Sequence, residues 1–197
     1  MRMILCTGNA GKVRELKSLM PTGVGLLSLM DVDVPSELPE HGPSLKANAL
    51  EKARYVHDIT GLPCVADDTG LEVDHLGGAP GVYSARYAGD AKDAGENMAR
   101  LLRELEDTEQ RTARFRTVIA FVHAHGKHTF EGVVEGSIAK VPKGDQGFGY
   151  DPIFIPQGSE RTFAEMDPAL KNKISHRAKA MAGFLVFLED VLAQDQV

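Results

Sequence analysis

Tryptophan is absent from the 197 residues, aromatic residues make up only 6%, and cysteine occurs twice. Cys6 and Cys64 both lie in apolar, strand-like runs, and two such residues fit neither a zinc site nor a disulfide framework. A reducing, cytoplasmic compartment is therefore expected. No apolar run approaches the ~18 residues that cross a bilayer, so no membrane partner is expected. In the N-terminal MRMILCTGNAGK the apolar stretch is short and broken by Gly and Asn, so no signal peptide is expected either. Basic charge is also scarce, with 22 Lys+Arg against 28 Asp+Glu for a net charge of −6. Binding a nucleic-acid polymer needs a basic surface, which this balance argues against. A small anion carried with a metal stays open.

What is present is an ordinary globular balance, 43% hydrophobic and 25% charged. Without repeats or long linkers, residues 1–197 read as a single domain. Met3–Thr7 suits a buried strand, and from Lys12 onward Val13, Leu16 and Leu19 recur on one helical face. Residues 31–43 are acidic and Pro-rich, hence a loop. Ser44 reads as the N-cap of a second helix, with Leu45, Ala49, Ala53 and Val56 on one stripe and Gly61 closing it. Pro63–Ala66 and the alternation around Leu71 and Val73 read as two strands. Asp93 and Glu96 resemble a capping box before a helix with Met98, Leu101, Leu102 and Leu105. Residues 112–123 alternate and end apolar on both faces, which predicts a central strand. His125-Gly126 turns it into a second long strand over 128–140, and Ile153–Ile155 is a short one. The last helix carries Ala178, Met181, Leu185, Leu188 and Leu192 as an apolar stripe. The fold class is α/β with a mixed sheet.

Three constellations carry chemistry. Thr7-Gly8-Asn9-Ala10-Gly11-Lys12 joins a strand to a helix, a geometry that aims backbone N–H groups and the positive helix end at an anion. Lys12 adds a point charge for phosphate oxygens. Taken alone, this GxxGK reads equally well as a strand–helix turn with a solvated lysine, and it lacks the spacing of a Walker A motif. In the second, Asp67 and Asp68 end an apolar strand. Adjacent strand residues face opposite ways, so both reach one site only if the strand bends, and Gly70 offers a bend. Such hard oxygen donors suit Mg²⁺, with Glu40 in the acidic loop as a candidate second ligand. Third, Phe148 and Tyr150 among glycines offer a stacking surface, and Lys171, Lys173, His176 and Arg177 supply hydrogen-bond donors. Arg177 opposes the macrodipole at a helix start, so something must compensate it.

The series TGNAGK (7–12), NALEKAR (48–54), ADDTGLEVDHLGGAPGVYSARYAG (66–89), GFGYDPIF (147–154) and KNKISHR (171–177) resembles the inosine-triphosphate pyrophosphatase family over nearly the whole chain. The resemblance implies an elongated two-lobed α/β domain on a long mixed β-sheet with flanking helices. It places the active site in the cleft between the lobes and implies a homodimer. The implied reaction is Mg²⁺-dependent hydrolysis of non-canonical purine nucleoside triphosphates (ITP, dITP, XTP) to the monophosphate and diphosphate, removing them from the nucleotide pool. By position, Thr7, Gly8, Asn9, Ala10, Gly11 and Lys12 would cradle the triphosphate, with Lys52 reaching in. Asp68 would be general base and metal ligand, Glu40 its partner ligand, Asp67 their support, and Thr69 a substrate-contacting hydroxyl. Phe148, Gly149, Tyr150, Asp151, Lys171, His176 and Arg177 would hold base and sugar. Leu45 and Cys6 depart from the family's usual aromatic and Ala, away from this chemistry.

Rival readings stand beside these. His123, His125 and His128 flank a turn and read better as a solvated hairpin tip than as a metal cluster. Arg111, Arg114 and Arg116 read as a solvated or dimer-facing strand surface. A purine-nucleotide-sensing module that does not hydrolyse is the alternative function, but unscreened carboxylates beside phosphates would weaken anion binding.

Overall fold

The computed structural model describes residues 2–21 and 23–194, with side chains described through residue 191. Among the described residues six strands form one sheet: β1 (Arg2–Leu5), β2 (Gly25–Ser28), β3 (Cys64–Val73), β4 (Thr112–His123), β5 (Gly126–Ile138) and β6 (Phe154–Pro156), in the order β2-β1-β3-β4-β5-β6. β1 runs parallel to β2 and β3, while β5 and β6 are antiparallel. Only the two residues Ala124-His125 separate β4 from β5, a connection that only antiparallel strands allow. The sheet is mixed, as expected, and β4 lies inside it. Among the described residues, no helix is long and apolar enough to cross a membrane.

The chain divides into two compact units, and β3, β4 and β5 each contribute residues to both. The first unit comprises residues 1–68, 117–132 and 177–197. Its core joins Met3, Leu5 and Val65 to Ile119, Phe121, Leu16, Met181, Phe184 and Leu188. Helices α1 (Ala10–Leu19), α2 (Leu45–Thr60) and α5 (His176–Gln194, from its second residue on) belong here. α2 follows its sequence pattern closely: the Ser44 side chain accepts the Ala47 N–H at 3.2 Å, and Gly61 closes the helix at φ +68°. Its buried face holds Leu45, Ala49, Ala53 and Val56, together with Asn48 and Lys52. On α5, Met181 and Leu188 are buried as the stripe requires, whereas the Leu192 side chain lies outside the described residues.

The second unit comprises residues 69–116 and 133–176. Phe115, Phe154 and Phe163 pack with Leu71, Val73, Leu101, Leu105, Ile138 and Ile153. Helices α3 (Ala94–Glu104) and α4 (Pro168–Ile174) flank this core. Asp93 caps α3 by accepting the Glu96 N–H at 2.8 Å.

Four expectations change. β2 has no counterpart in the sequence reading, because a four-residue, half-buried strand carries too little periodicity to register. α1 begins at Ala10 rather than Lys12, since the Asn9 side chain caps it by accepting the Lys12 N–H. α4 also lacks a counterpart in the sequence reading, being only seven residues long. Finally, β3 is a single ten-residue strand; Gly70 does not end it, and Asp67 and Asp68 are served by different partners along an unbroken pleat.

Candidate active site

Among the described residues of the first unit, α1, the loop before α2, α2 itself, β3 and the start of α5 bring together seven charged side chains. Arg177, 1% exposed, donates from Nε and Nη2 to Asp67 Oδ2 at 3.1 and 3.0 Å, and from Nη1 to Glu15 on α1. Asp67 is fully buried, and Lys12 Nζ approaches its Oδ1 at 3.4 Å. These cations outweigh the cost of burial and hold the Asp67 carboxyl well below the usual carboxylate range. Arg177 thereby finds the compensation that its place at a helix start demanded.

Asp68 lies in a different setting. Its Oδ1 accepts from Lys52 Nζ at 3.1 Å and its Oδ2 from Asn48 Nδ2 at 3.2 Å. Burial raises its pKa, an effect that Glu40 reinforces and that Lys52 and Lys12 only partly offset. Lys52 Nζ also donates to Glu40 Oε1 at 2.5 Å and to the Asp67 carbonyl at 2.8 Å. Burial works against the Lys52 ammonium, yet Asp68, Glu40 and Asp67 together raise its pKa. Lys12 shows the opposite outcome: burial lowers its pKa, and the neighbouring Lys52 and Arg177 add to that, so that Asp67 and Asp68 do not restore it. A carboxylate with a raised pKa beside one with a depressed pKa is the arrangement by which a site separates a proton acceptor from a structural anion.

The phosphate-loop residues sit at the start of α1. Thr7 Oγ1 accepts the Asn9 N–H at 3.2 Å, and Gly8, Asn9 and Ala10 are exposed ahead of buried Gly11. The N–H groups of this first turn point along a ten-residue helix whose positive end faces outward, a ready anion site.

The residues expected to hold base and sugar, Arg177 apart, lie in the second unit. Asp151 Oδ2 accepts from the Phe148 N–H and from Lys171 Nζ, both at 2.7 Å, which ties the loop 147–151 to α4. Gly147 sits at φ +77°, and a Cβ there would strike the Asp151 carboxylate. Phe148 stays half-buried with Lys171 Nζ 5.1 Å from its ring centroid, while Gly149 has φ +63°. Tyr150 is 5% exposed within the core, its hydroxyl donating to the Ser84 carbonyl at 2.9 Å. The His176 ring packs 4.6 Å from that of Phe115. Thr69 is half-buried on β3, one residue past Asp68.

Two members of the cluster, Asn48 and Glu15, have no role in the sequence reading. Asn48 carries a signal nonetheless, being a polar residue on the apolar stripe of α2. Glu15 shares a helical face with Lys12, Leu16 and Leu19, which alone does not distinguish it from a solvated acid.

Residues 3–187 match the model of the Ham1 family. A dITP/XTP pyrophosphatase of Christiangramia forsetii is 48% identical over 95% of this chain and 99% of its own length. One of Thioalkalivibrio sulfidiphilus is 50% identical over 92% and 95%. Among solved structures, a HAM1 protein from Coxiella burnetii superposes with a TM-score of 0.89 at 38% identity, over 96% of this chain and 99% of that one.

Proposed function

The chain belongs to the Ham1 family, and from that premise we propose that it hydrolyses the non-canonical purine triphosphates ITP, dITP and XTP to the monophosphate and diphosphate. The observation that carries hydrolysis over mere sensing is the buried pair Asp67 and Asp68 set among Lys12, Lys52 and Arg177. A module built only to hold a polyanion gains nothing from carboxylates there.

The donor set fits Mg²⁺. Glu40 Oε1 and Asp68 Oδ1 converge on one cation, the Lys52 ammonium, and hard oxygens of this kind are what Mg²⁺ takes, one or two carboxylates being completed by water and phosphate oxygens. Among the described residues no group of three or more His, Cys, Asp or Glu side chains could cage a metal. The two carboxylates thus suit a metal that arrives with the triphosphate. When bound, Mg²⁺ supplies Lewis acidity and screens the phosphate charge that repels a nucleophile.

The protein's own groups do the rest. Asp68 orients a water and takes its proton as the water oxygen bonds to the α-phosphorus. The bond from that phosphorus to the bridging oxygen breaks, and diphosphate leaves. Lys12, Lys52 and the N–H groups of Ala10 and Gly11 meet the charge that develops on it, with Thr7 and Gly8 shaping the loop and Asn9 capping the helix. Phe148 offers a face for the base. Gly149, Asp151, Lys171 and His176, with Thr69, supply the polar contacts to base and sugar, and Tyr150 and Arg177, whose donors go to the Ser84 carbonyl and to Asp67 and Glu15, act as supports. A donor aimed at the 6-keto group of hypoxanthine or xanthine opposes the 6-amino group of adenine, and mispaired buried donors allow rejection by about 10⁴-fold. The two buried, unpaired cysteines accord with a reducing cytoplasm, and family resemblance carries the expectation of a homodimer.

The test is diphosphate release from ITP, dITP, XTP, GTP and ATP with and without Mg²⁺. Release requires the metal and favours the first three substrates. Asp68→Asn should lower kcat by at least about 10²-fold, the scale of general-base catalysis, with an unchanged circular dichroism spectrum. Release of orthophosphate instead would overturn attack at the α-phosphorus.

A further inference from the structure

We infer that Asn48 is a positioning residue for Asp68, coupling that carboxylate to the loop that carries Glu40. The inference rests on the reading of Asp68 as the group that activates water. Asn48 is 1% exposed, on a buried helix face that it shares with Leu45, Ala49, Ala53, Val56 and Lys52, where a polar side chain persists only if its hydrogen bonds are met. Its Oδ1 accepts the Gly42 N–H at 2.8 Å and its Nδ2 donates to Asp68 Oδ2 at 3.2 Å.

These two bonds determine each other. The Gly42 N–H can only donate, so Oδ1 must face the loop and Nδ2 must face Asp68. Asn48 therefore always presents a donor to Asp68 Oδ2, while Lys52 presents one to Oδ1. The carboxylate is held at both oxygens and cannot rotate away. The loop fits closely at the same point: a Cβ on Gly42 would lie 2.5 Å from Ala47 Cβ and 2.9 Å from Asn48 Oδ1. Glu40, two residues earlier, is thereby fixed relative to Asp68 by a single amide. Lys52 makes the second link, touching both carboxylates.

The discriminating experiment separates the halves of the amide. Asn48→Asp keeps an acceptor for Gly42 and loses the donor to Asp68; Asn48→Ala loses both. Positioning through Asp68 expects both variants to lower kcat for ITP by about 10- to 100-fold, the usual loss when an outer partner of a site is removed, with KM within about threefold of wild type. Wild-type kcat in Asn48→Asp would reduce Asn48 to a loop tether and overturn the inference. So would a loss carried by KM alone. An independent readout is the Asn48 side-chain amide in nuclear magnetic resonance spectra of the full chain. Its resonances should shift on Asp68→Asn, and an unmoved pair would overturn the coupling even if Asn48→Asp did not fold. Full turnover by Asp68→Asn would instead sink the water-activation reading, a separate result.

Discussion

Replacing Arg177 by Met tests whether the buried ion pair organises the first unit. The substitution preserves much of the side-chain volume and removes every donor that Arg177 gives to Asp67 and Glu15. Removing one partner of a buried pair costs about 3–5 kcal/mol, because a desolvated charge is left uncompensated. Here Lys12 still lies 3.4 Å from Asp67 Oδ1, so the lower end applies, about 3 kcal/mol. For a chain of this size that corresponds to a fall in Tm of about 6–12 °C.

The assay is urea unfolding followed by circular dichroism, with the m value checked for constancy. The destabilisation should depend on pH with a definite sign. In the wild type the Asp67 carboxyl titrates below its unfolded value, so its contribution is present above about pH 3.9 and disappears as the pH falls through the folded value. Without Arg177, burial is opposed only by Lys12 and Lys52, so that pKa rises from its wild-type position and protonation relieves part of the cost. The difference between variant and wild type is therefore largest near neutrality and shrinks in acid. Asp67→Asn combined with Arg177→Met should be less destabilised than the sum of the single changes by about 1–3 kcal/mol, the signature of coupled neighbours. If Arg177→Met unfolds within about 0.5 kcal/mol of wild type, or if the two changes simply add, the ion-pair reasoning is wrong. A selective loss of ITP over ATP with stability intact would favour direct contact with the base.

Two further outcomes are expected. Lys171→Met strands Asp151 beside the Phe148 N–H and removes the cation near the Phe148 ring, so steady-state assays should show KM for ITP rising by about tenfold or more with kcat changed far less; an unchanged KM would remove Lys171 from the base-binding group. Burial, then the neighbouring Glu104, pushes the Tyr87 phenol up to about 12, so the phenol form is favoured by folding below pH 10 and that contribution is lost as the pH rises through the folded value. Burial also raises the Tyr150 phenol, so an ultraviolet titration should show late phenolates of which Tyr87→Phe removes one; ionisation of Tyr87 by pH 10.5, read as the difference between wild type and Tyr87→Phe, would refute it.

What was legible in the sequence tracks the length and regularity of each signal. α2 carries its cap, stripe and closing glycine within 18 residues, and β4 carries 12 residues in which alternation runs into an apolar stretch, so both match their sequence-predicted limits. β2 and α4 are too short for any period to emerge. Local sequence also cannot name distant partners. The need to compensate Arg177 was visible, but Asp67, 110 residues away, and Glu15 were not. Tyr150 illustrates the converse: glycine neighbours make it read as an exposed stacking ring, whereas a core of Phe154, Ile153 and Leu101 and the Ser84 carbonyl claim it. In each case tertiary contact, which has no local signature, decided the outcome.

The net charge of −6 has a local counterpart. Around Asp67 and Asp68 the structure sets Lys12, Lys52 and Arg177 against Glu15, Glu40, Asp67 and Asp68, or 3 − 4 = −1. Every one of these cations already faces a carboxylate, so a bare triphosphate entering here would meet no net attraction beyond the first turn of α1. On the proposed reading, Glu40 and Asp68 would hold a divalent cation, which would supply positive charge where the phosphates must lie, while Lys52 beside both carboxylates would meet the charge on the departing diphosphate.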